Sequence, residues 1–407
     1  AFIVTAAVCA LYGALALGGG RERQEPPAAP SQEQPAQEEA APVTFTLAAA
    51  GDNLIHDTLY YQAARRAGGE GFDFAYAYGQ VAPLFSGADL AFVNQETPLA
   101  GRIAPLSNYP RFNSPTEVGD QLAEMGVDVV NHANNHMFDQ GEAGLLATMD
   151  YWDGRPEVLF LGAWREEAAM AAPKVAEVKG VRVAFVAMTE HTNGLTLPKG
   201  SALRYLTCGE EELIEEQMRL AREQADVVIV SVHWGNENTT AQSDAQRALA
   251  AKLAGLGADV ILGHHSHTLQ PVERMERAGG GQTLVIYSLG NLISAMQGAY
   301  NMVGGIARLE ITFDPQSGAV EVGQARIVPV VTDFGPGRDI RVVPLADYTP
   351  ELAASHGVRA YDGRFSYEYL CALVKGTLEE QFVQEELGWL YRPGAREAGA
   401  APRAPAG

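Results

Sequence analysis

The feature that most restricts how this chain can fold is a unit repeated through its middle: an amphipathic helix, a glycine, a short apolar strand, then a polar cluster rich in histidine. In one copy Ser114 and Pro115 suit the cap and first position of a helix. Val118, Leu122 and Met125 then fall on one helical face. Gly126 ends the helix, strand 127–131 follows, and His132-Ala133-Asn134-Asn135-His136 closes the unit. In a second copy Ser243 or Asp244 caps a helix carrying Leu249, Leu253 and Leu256. Gly257 stops it, and strand 260–262 runs into Gly263-His264-His265-Ser266-His267. A third copy leads from helix 210–224 through strand 227–232 to His233-Trp234-Gly235. Three more apolar strands, 44–50, 89–93 and 284–288, end at Gly51-Asp52-Asn53, Asn94-Gln95-Glu96 and Leu289-Gly290-Asn291.

Strands that are apolar throughout and alternate with amphipathic helices belong in a sheet covered on both faces, so the expected class is α/β. In open α/β sheets ligands bind beyond the carboxyl ends of the strands. Loops start there and are polar in any case. Yet five of the nine histidines (His132, His136, His233, His265, His267) lie in these clusters, and His264 adjoins them. That concentration predicts a shared site. Imidazole, carboxylate and amide oxygen together suit Zn, Mn or Fe; calcium prefers oxygen alone. His265 and His267 are two apart, so on an extended segment both rings face one side. His132 and His264 read as buried core histidines, and Trp234 as a pocket wall.

The ends of the chain read differently. Residues 1–17 are apolar and uncharged. Segment 1–20 is therefore expected to be a membrane anchor or a signal segment. Residues 21–42, rich in Pro, Gln, Glu and Ala, read as a disordered linker. The main domain is expected over 43–333, a partly helical extension over 334–392 with an amphipathic stretch at 366–391, and a disordered tail over 393–407. Such a layout places the protein outside the cytoplasm, held to the cell membrane or secreted if the first segment is cleaved. Cys9, Cys208 and Cys371 form no disulfide framework. The net charge of -21 excludes a nucleic-acid binder, which needs a basic surface. An anionic substrate would need a metal or a few placed cations such as Arg111 or Lys199.

Taken in order, Gly51-Asp52, Asn94-Gln95-Glu96-Thr97, Ala133-Asn134-Asn135-His136 with Asp139 and Gly141, His233-Trp234-Gly235, Gly263-His264-His265-Ser266-His267 and Tyr287-Ser288-Leu289-Gly290-Asn291 resemble the motif series of the CapA family, from about residue 44 to 300. The resemblance implies a calcineurin-like metallophosphatase fold: a four-layer sandwich of two stacked mixed β-sheets flanked by helices. It also implies work on poly-γ-glutamate or another capsule or envelope polymer, at a membrane and beside membrane synthase subunits. By resemblance Asp52, Glu96, Asn135, His233, His265 and His267 are metal ligands, and His136 is the acid or charge stabiliser. His56, Asn134, Asp139, Asn291 and Arg111 are candidates for outer contacts or substrate binding; helix capping is the expected role of Asp139. The superfamily's first motif is Asp-x-His, but here its third residue is Leu54 and His56 sits at another offset. One metal position keeps Glu96, Asn135, His233 and His265; the other keeps Asp52, Glu96 and His267. The expectation is one well-formed site and a poorly supported second. Three functions fit: a metal-dependent hydrolase-like enzyme on an envelope polymer, a non-catalytic polymer-binding or assembly component, and a metallophosphoesterase on a small substrate.

Overall fold

The structure, a computed structural model, describes residues 41–391 apart from Ala278. The expected anchor and tail, and the expected linker as far as residue 40, lie outside the described residues. Among the described residues no helix is long and apolar enough to cross a membrane.

In chain order the strands are β1 (Val43–Asn53), β2 (Leu90–Gln95), β3 (Val129–Asn131), β4 (Leu159–Leu161), β5 (Lys174–Val178), β6 (Val181–Thr189), β7 (Val227–His233), β8 (Val260–His264), β9 (Val272–Glu276), β10 (Gln282–Ile286), β11 (Asn291–Ile293), β12 (Val303–Phe313), β13 (Val320–Gly335) and β14 (Arg338–Pro344). The helices are α1 (Asp57–Arg66), α2 (Ala75–Tyr78), α3 (Ala82–Ser86), α4 (Glu117–Glu124), α5 (Gly141–Asp153), α6 (Glu211–Gln224), α7 (Asp244–Gly255), α8 (Pro350–Ala354) and α9 (Tyr367–Thr377).

Two mixed sheets result. One runs β14-β13-β12-β1-β2-β3-β4 with β11 added beside β1; the other runs β5-β6-β7-β8-β10-β9. Within them β1-β2-β3-β4 and β6-β7-β8-β10 are parallel. Period-2 alternation then sorts the side chains. Phe45, Leu47 and Ala49 point into the space between the sheets, where they meet Phe185, Ile229 and Leu262. Ala48 and Ala50 point outward under Leu59, Phe85, Leu122 and Leu145 of α1, α3, α4 and α5. On the far side Val228 and Val230 meet Ile214 and Met218 of α6 and Leu253 of α7. Helix, sheet, sheet, helix is the expected four-layer order. Each Val, Leu or Ile buried this way contributes about 1.5–3 kcal/mol before entropy is subtracted.

Several local expectations hold and others move. Ser243 caps α7 with a reciprocal box: its hydroxyl accepts from Gln246 N at 3.2 Å, and its own N donates to Gln246 Oε1 at 2.8 Å. Ser243→Ala should lower unfolding free energy by about 1 kcal/mol in urea titration. By contrast α4 starts at Glu117 with Thr116 as its flanking residue; Ser114 instead donates its hydroxyl to Thr97 at 2.8 Å. The stretch 366–391 is not one helix. α9 ends at Thr377, Leu378 is extended, and short 3-10 turns follow. Its Leu370 and Val374 join the core between the sheets. The expected boundary at 333/334 falls inside β13, which pairs onward with β14. Cys208 and Cys371 are free thiols.

Candidate metal centre

The carboxyl ends of β1, β2, β3, β7 and β8 converge. Asp52 lies near the end of β1, Glu96 just past β2, Asn135 and His136 in the loop after β3, His233 at the end of β7, and His265 and His267 just past β8. All are buried. Glycine makes the approach feasible where strands nearly touch: a Cβ on Gly263 would stand 2.0 Å from the Tyr287 carbonyl oxygen.

Two donor sets form around one carboxylate. In the first, His233 Nε2 is 3.0 Å from Asn135 Oδ1, 3.1 Å from His265 Nδ1 and 3.6 Å from Glu96 Oε1. In the second, His267 Nδ1 is 3.2 Å from Asp52 Oδ2 and 3.8 Å from Glu96 Oε2. Glu96 turns one oxygen to each set, and neither oxygen has a hydrogen-bond partner among the described residues. A buried carboxylate without donors is a rare and costly arrangement. Donors held about 2.0–2.2 Å from one ion stand about 3.0–3.5 Å from each other. The spacing of the first set fits that geometry, so the residues present fit a divalent cation.

Electrostatics agree. Burial, then the Asp52 charge, pushes the Glu96 carboxyl well above its usual range. Burial, then the other imidazoles, holds His233 well below its usual value. The same causes hold His265 down at about 3. Both rings are therefore neutral with lone pairs free, the form a metal needs. Burial lowers His267 too, but Glu96 and Asp52 outweigh it and lift it to about 10. Burial likewise opposes charge on Asp52, and the His267 partner overcomes it, lowering the carboxyl.

His265 and His267 do not sit on an extended segment. β8 stops at His264, and the two residues take φ values of 92° and 55°. Left-handed conformations at non-glycine positions cost about 1–3 kcal/mol each and persist where surroundings enforce them. Here the turn aims one ring at each donor set.

The remaining candidates have distinct places. Asp139 does not cap α5, whose flanking residue is Gln140 without a side-chain cap. Its Oδ2 accepts instead from His136 Nδ1 at 2.7 Å and from Phe112 N at 2.7 Å. Asn134 accepts from His136 N at 2.9 Å and donates to the Gln95 carbonyl at 3.1 Å. Asn291 Oδ1 lies 3.0 Å from His267 Nδ1. His56 meets Ala295 N at 3.1 Å and packs edge-on against Phe112, outside both donor sets. His132 is buried with Nδ1 on the Gln95 carbonyl at 2.9 Å; His264 is buried and stacked on Phe92. Trp234 packs among core residues stacked with Tyr287, its Nε1 donating to the Tyr287 carbonyl. Arg111 and Lys199 are exposed and join neither set.

Three residues were not anticipated. His191 Nε2 is 3.3 Å from His265 Nε2, and Asn135 Nδ2 donates to Asn193 Oδ1 at 3.4 Å. Both come from the loop after β6, and the rule that strand ends carry the site, applied to Val181–Thr189, would have found them. Glu237, in the loop after β7, has its carboxylate within 4.8 Å of donor atoms of His265 and His267.

Residues 46–296 match the family described as bacterial capsule synthesis protein PGA_cap. The PGA biosynthesis protein CapA of Bacillus subtilis (strain 168) is 27% identical over 284 residues, which is 65% of this chain and 69% of that protein. The capsule biosynthesis protein CapA of Bacillus anthracis is 28% identical over 228 residues, 54% of this chain and 53% of that protein, so the chain spans about half of that relative. A phosphatase structure from Mycoplasma pneumoniae aligns with a TM-score of 0.43 at 13% identity, over 71% of this chain and 94% of that one, too loosely to carry an argument.

Proposed function

Because the chain belongs to the bacterial capsule synthesis protein family PGA_cap, we propose that it acts in the synthesis, export or processing of an anionic capsule or envelope polymer such as poly-γ-glutamate, through a metal-dependent, hydrolase-like site. The observation that carries the catalytic part is Glu96: a fully buried carboxylate with no donor, placed between two sets of metal-competent atoms. The proposed setting is extracytoplasmic, with the apolar segment 1–17 as membrane anchor and synthase subunits as neighbours; its support is the sequence of residues 1–42.

Glu96, Asn135, His233 and His265 would hold the ion, with Asp52 and His267 beside them. A bound divalent ion supplies Lewis acidity toward a carbonyl or phosphoryl oxygen. His136 works next to it. Its Nδ1 is committed to Asp139, which fixes the ring and leaves Nε2 to give a proton to a leaving group. Asp139 is itself held by Phe112 N, and the His136 backbone by Asn134. Such anchoring of the proton donor has no use in a purely structural metal site.

The test is metal analysis and turnover of the wild type and His265→Ala, with γ-glutamyl and phosphodiester substrates. The wild type should carry Mn, Fe or Zn and cleave one class; His265→Ala should lose metal affinity by more than about 100-fold, beyond what loss of an outer contact costs. A wild type that carries no metal and cleaves neither sinks the catalytic reading and leaves a polymer-binding assembly component.

A further inference from the structure

We propose that Asn291 is a cation ligand, completing a second metal position with Asp52, Glu96 and His267, so that the centre takes two divalent ions although the first motif carries Leu54. This rests on the reading that the site holds a cation at all.

Leu54 is 4% exposed and has no donor to offer. The place it leaves is reached from another strand. β11 lies parallel beside β1, and Asn291 is the register partner of Asp52. Two close approaches hold it there. A Cβ on Gly51 would stand 1.9 Å from the Gly290 carbonyl oxygen, and a Cβ on Gly304 would stand 1.9 Å from the Asn291 carbonyl oxygen. Only glycine at 51 and 304 lets β1 and β12 close on this residue from both sides.

The side-chain amide is also oriented. Its Nδ2 faces Ser294 Oγ at 3.1 Å, the Asn301 carbonyl at 3.3 Å and the His267 carbonyl at 3.5 Å. Turning the amide over would set Oδ1 against two carbonyl oxygens, so Oδ1 stays directed at His267. There it joins Asp52 Oδ2 and Glu96 Oε2 around one nitrogen, at 3.0, 3.2 and 3.8 Å from His267 Nδ1. A single ring N–H cannot serve three oxygens. Three oxygens and one imidazole nitrogen gathered in a fully buried place, two of the oxygens from carboxylates, form a ligand set for a hard or borderline divalent ion. Glu96, with one oxygen to each set, becomes the shared ligand.

The test is Mn(II) binding by the full chain in detergent, followed by calorimetry and by low-temperature electron paramagnetic resonance. The wild type should bind two Mn(II) per chain and give an exchange-coupled spectrum. Asn291→Ala should keep the first ion with unchanged affinity, lose the second, and give the six-line spectrum of an isolated Mn(II). Asn291→Asp, which retains an oxygen donor, should keep two. Ser294→Ala, which removes the nearest of the three acceptors that orient the amide, should weaken the second ion about 10-fold and leave the first alone. If Asn291→Ala fails to fold, the aspartate and Ser294 variants decide: loss of the second ion in Asn291→Asp, or no change in Ser294→Ala, overturns the proposal. Asn291→Ala holding two ions with a second Kd within tenfold of wild type overturns it, as does a wild type that binds one ion. In the first case the second ion is held without Asn291; in the second the one-ion reading stands. A wild type that binds no Mn(II), Fe(II) or Zn(II) removes the cation reading together with this one.

Discussion

Glu96→Gln should bind divalent metal at least about 100-fold more weakly than the wild type, and chelator should lower its melting temperature by no more than about a third of the wild-type shift. The wild type should lose several degrees on chelation, because a ligand at about 1,000 times its Kd stabilises the folded state by about 4 kcal/mol. The cause is the placement of the carboxylate. Both Glu96 oxygens are buried without donors, so without a cation the folded protein buries a carboxyl group that makes no hydrogen bond. Glutamine has nearly the same shape and no charge. In chelator the variant should therefore melt no lower than the wild type.

The pH dependence has a definite sign. In the metal-free centre Glu96 is raised well above 4.5 and His267 is raised from 6.5 to about 10. Both groups bind protons more tightly folded than unfolded, so they stabilise the metal-free fold at low pH. That contribution is complete below about 4.5 for Glu96 and below about 6.5 for His267, and is lost as pH rises through each folded value. A metal competes with the same protons and binds better as they leave. The difference in melting temperature between loaded and chelated wild type should thus widen from pH 6 to pH 9. A constant difference, or one that shrinks, would remove the cation from this place.

The second large effect is expected at His136. His136→Gln should lower kcat by about 10²–10⁴-fold on whichever substrate is turned over, while metal content stays at the wild-type level. The ring is 5% exposed and its Nδ1 is held by Asp139 at 2.7 Å, so its substrate-facing role falls to Nε2. Asp139→Asn should act through orientation: a smaller loss in kcat, little change in KM, and a shifted pH profile. Equal metal content with unchanged kcat in His136→Gln would leave the imidazole without a chemical task.

Much of this protein could be read along the chain. Apolar strands bounded by glycine and followed by Asp52, Glu96, Asn135, His233 and His265 are local patterns, and the parallel order of β1-β2-β3 and β7-β8 follows from alternating helices and strands. Burial on both faces follows from strands that are apolar throughout, because successive side chains point to opposite faces, and the sequence states those runs directly.

The tertiary structure decided what depends on partners distant in sequence. The two-residue spacing of His265 and His267 suggested an extended segment, yet both take positive φ because the chain must turn to serve two donor sets. Asp139 stands three residues after His136 in either role; Phe112 N, 27 positions away, made it the partner of the imidazole. His191 meets His265 across 74 positions, and Asn291 meets His267 across 24 with its amide oriented by Ser294 and Asn301. Local periodicity determines which face of an element is buried; the direction of a polar side chain is set by whichever donors and acceptors the fold brings within about 3 Å of it.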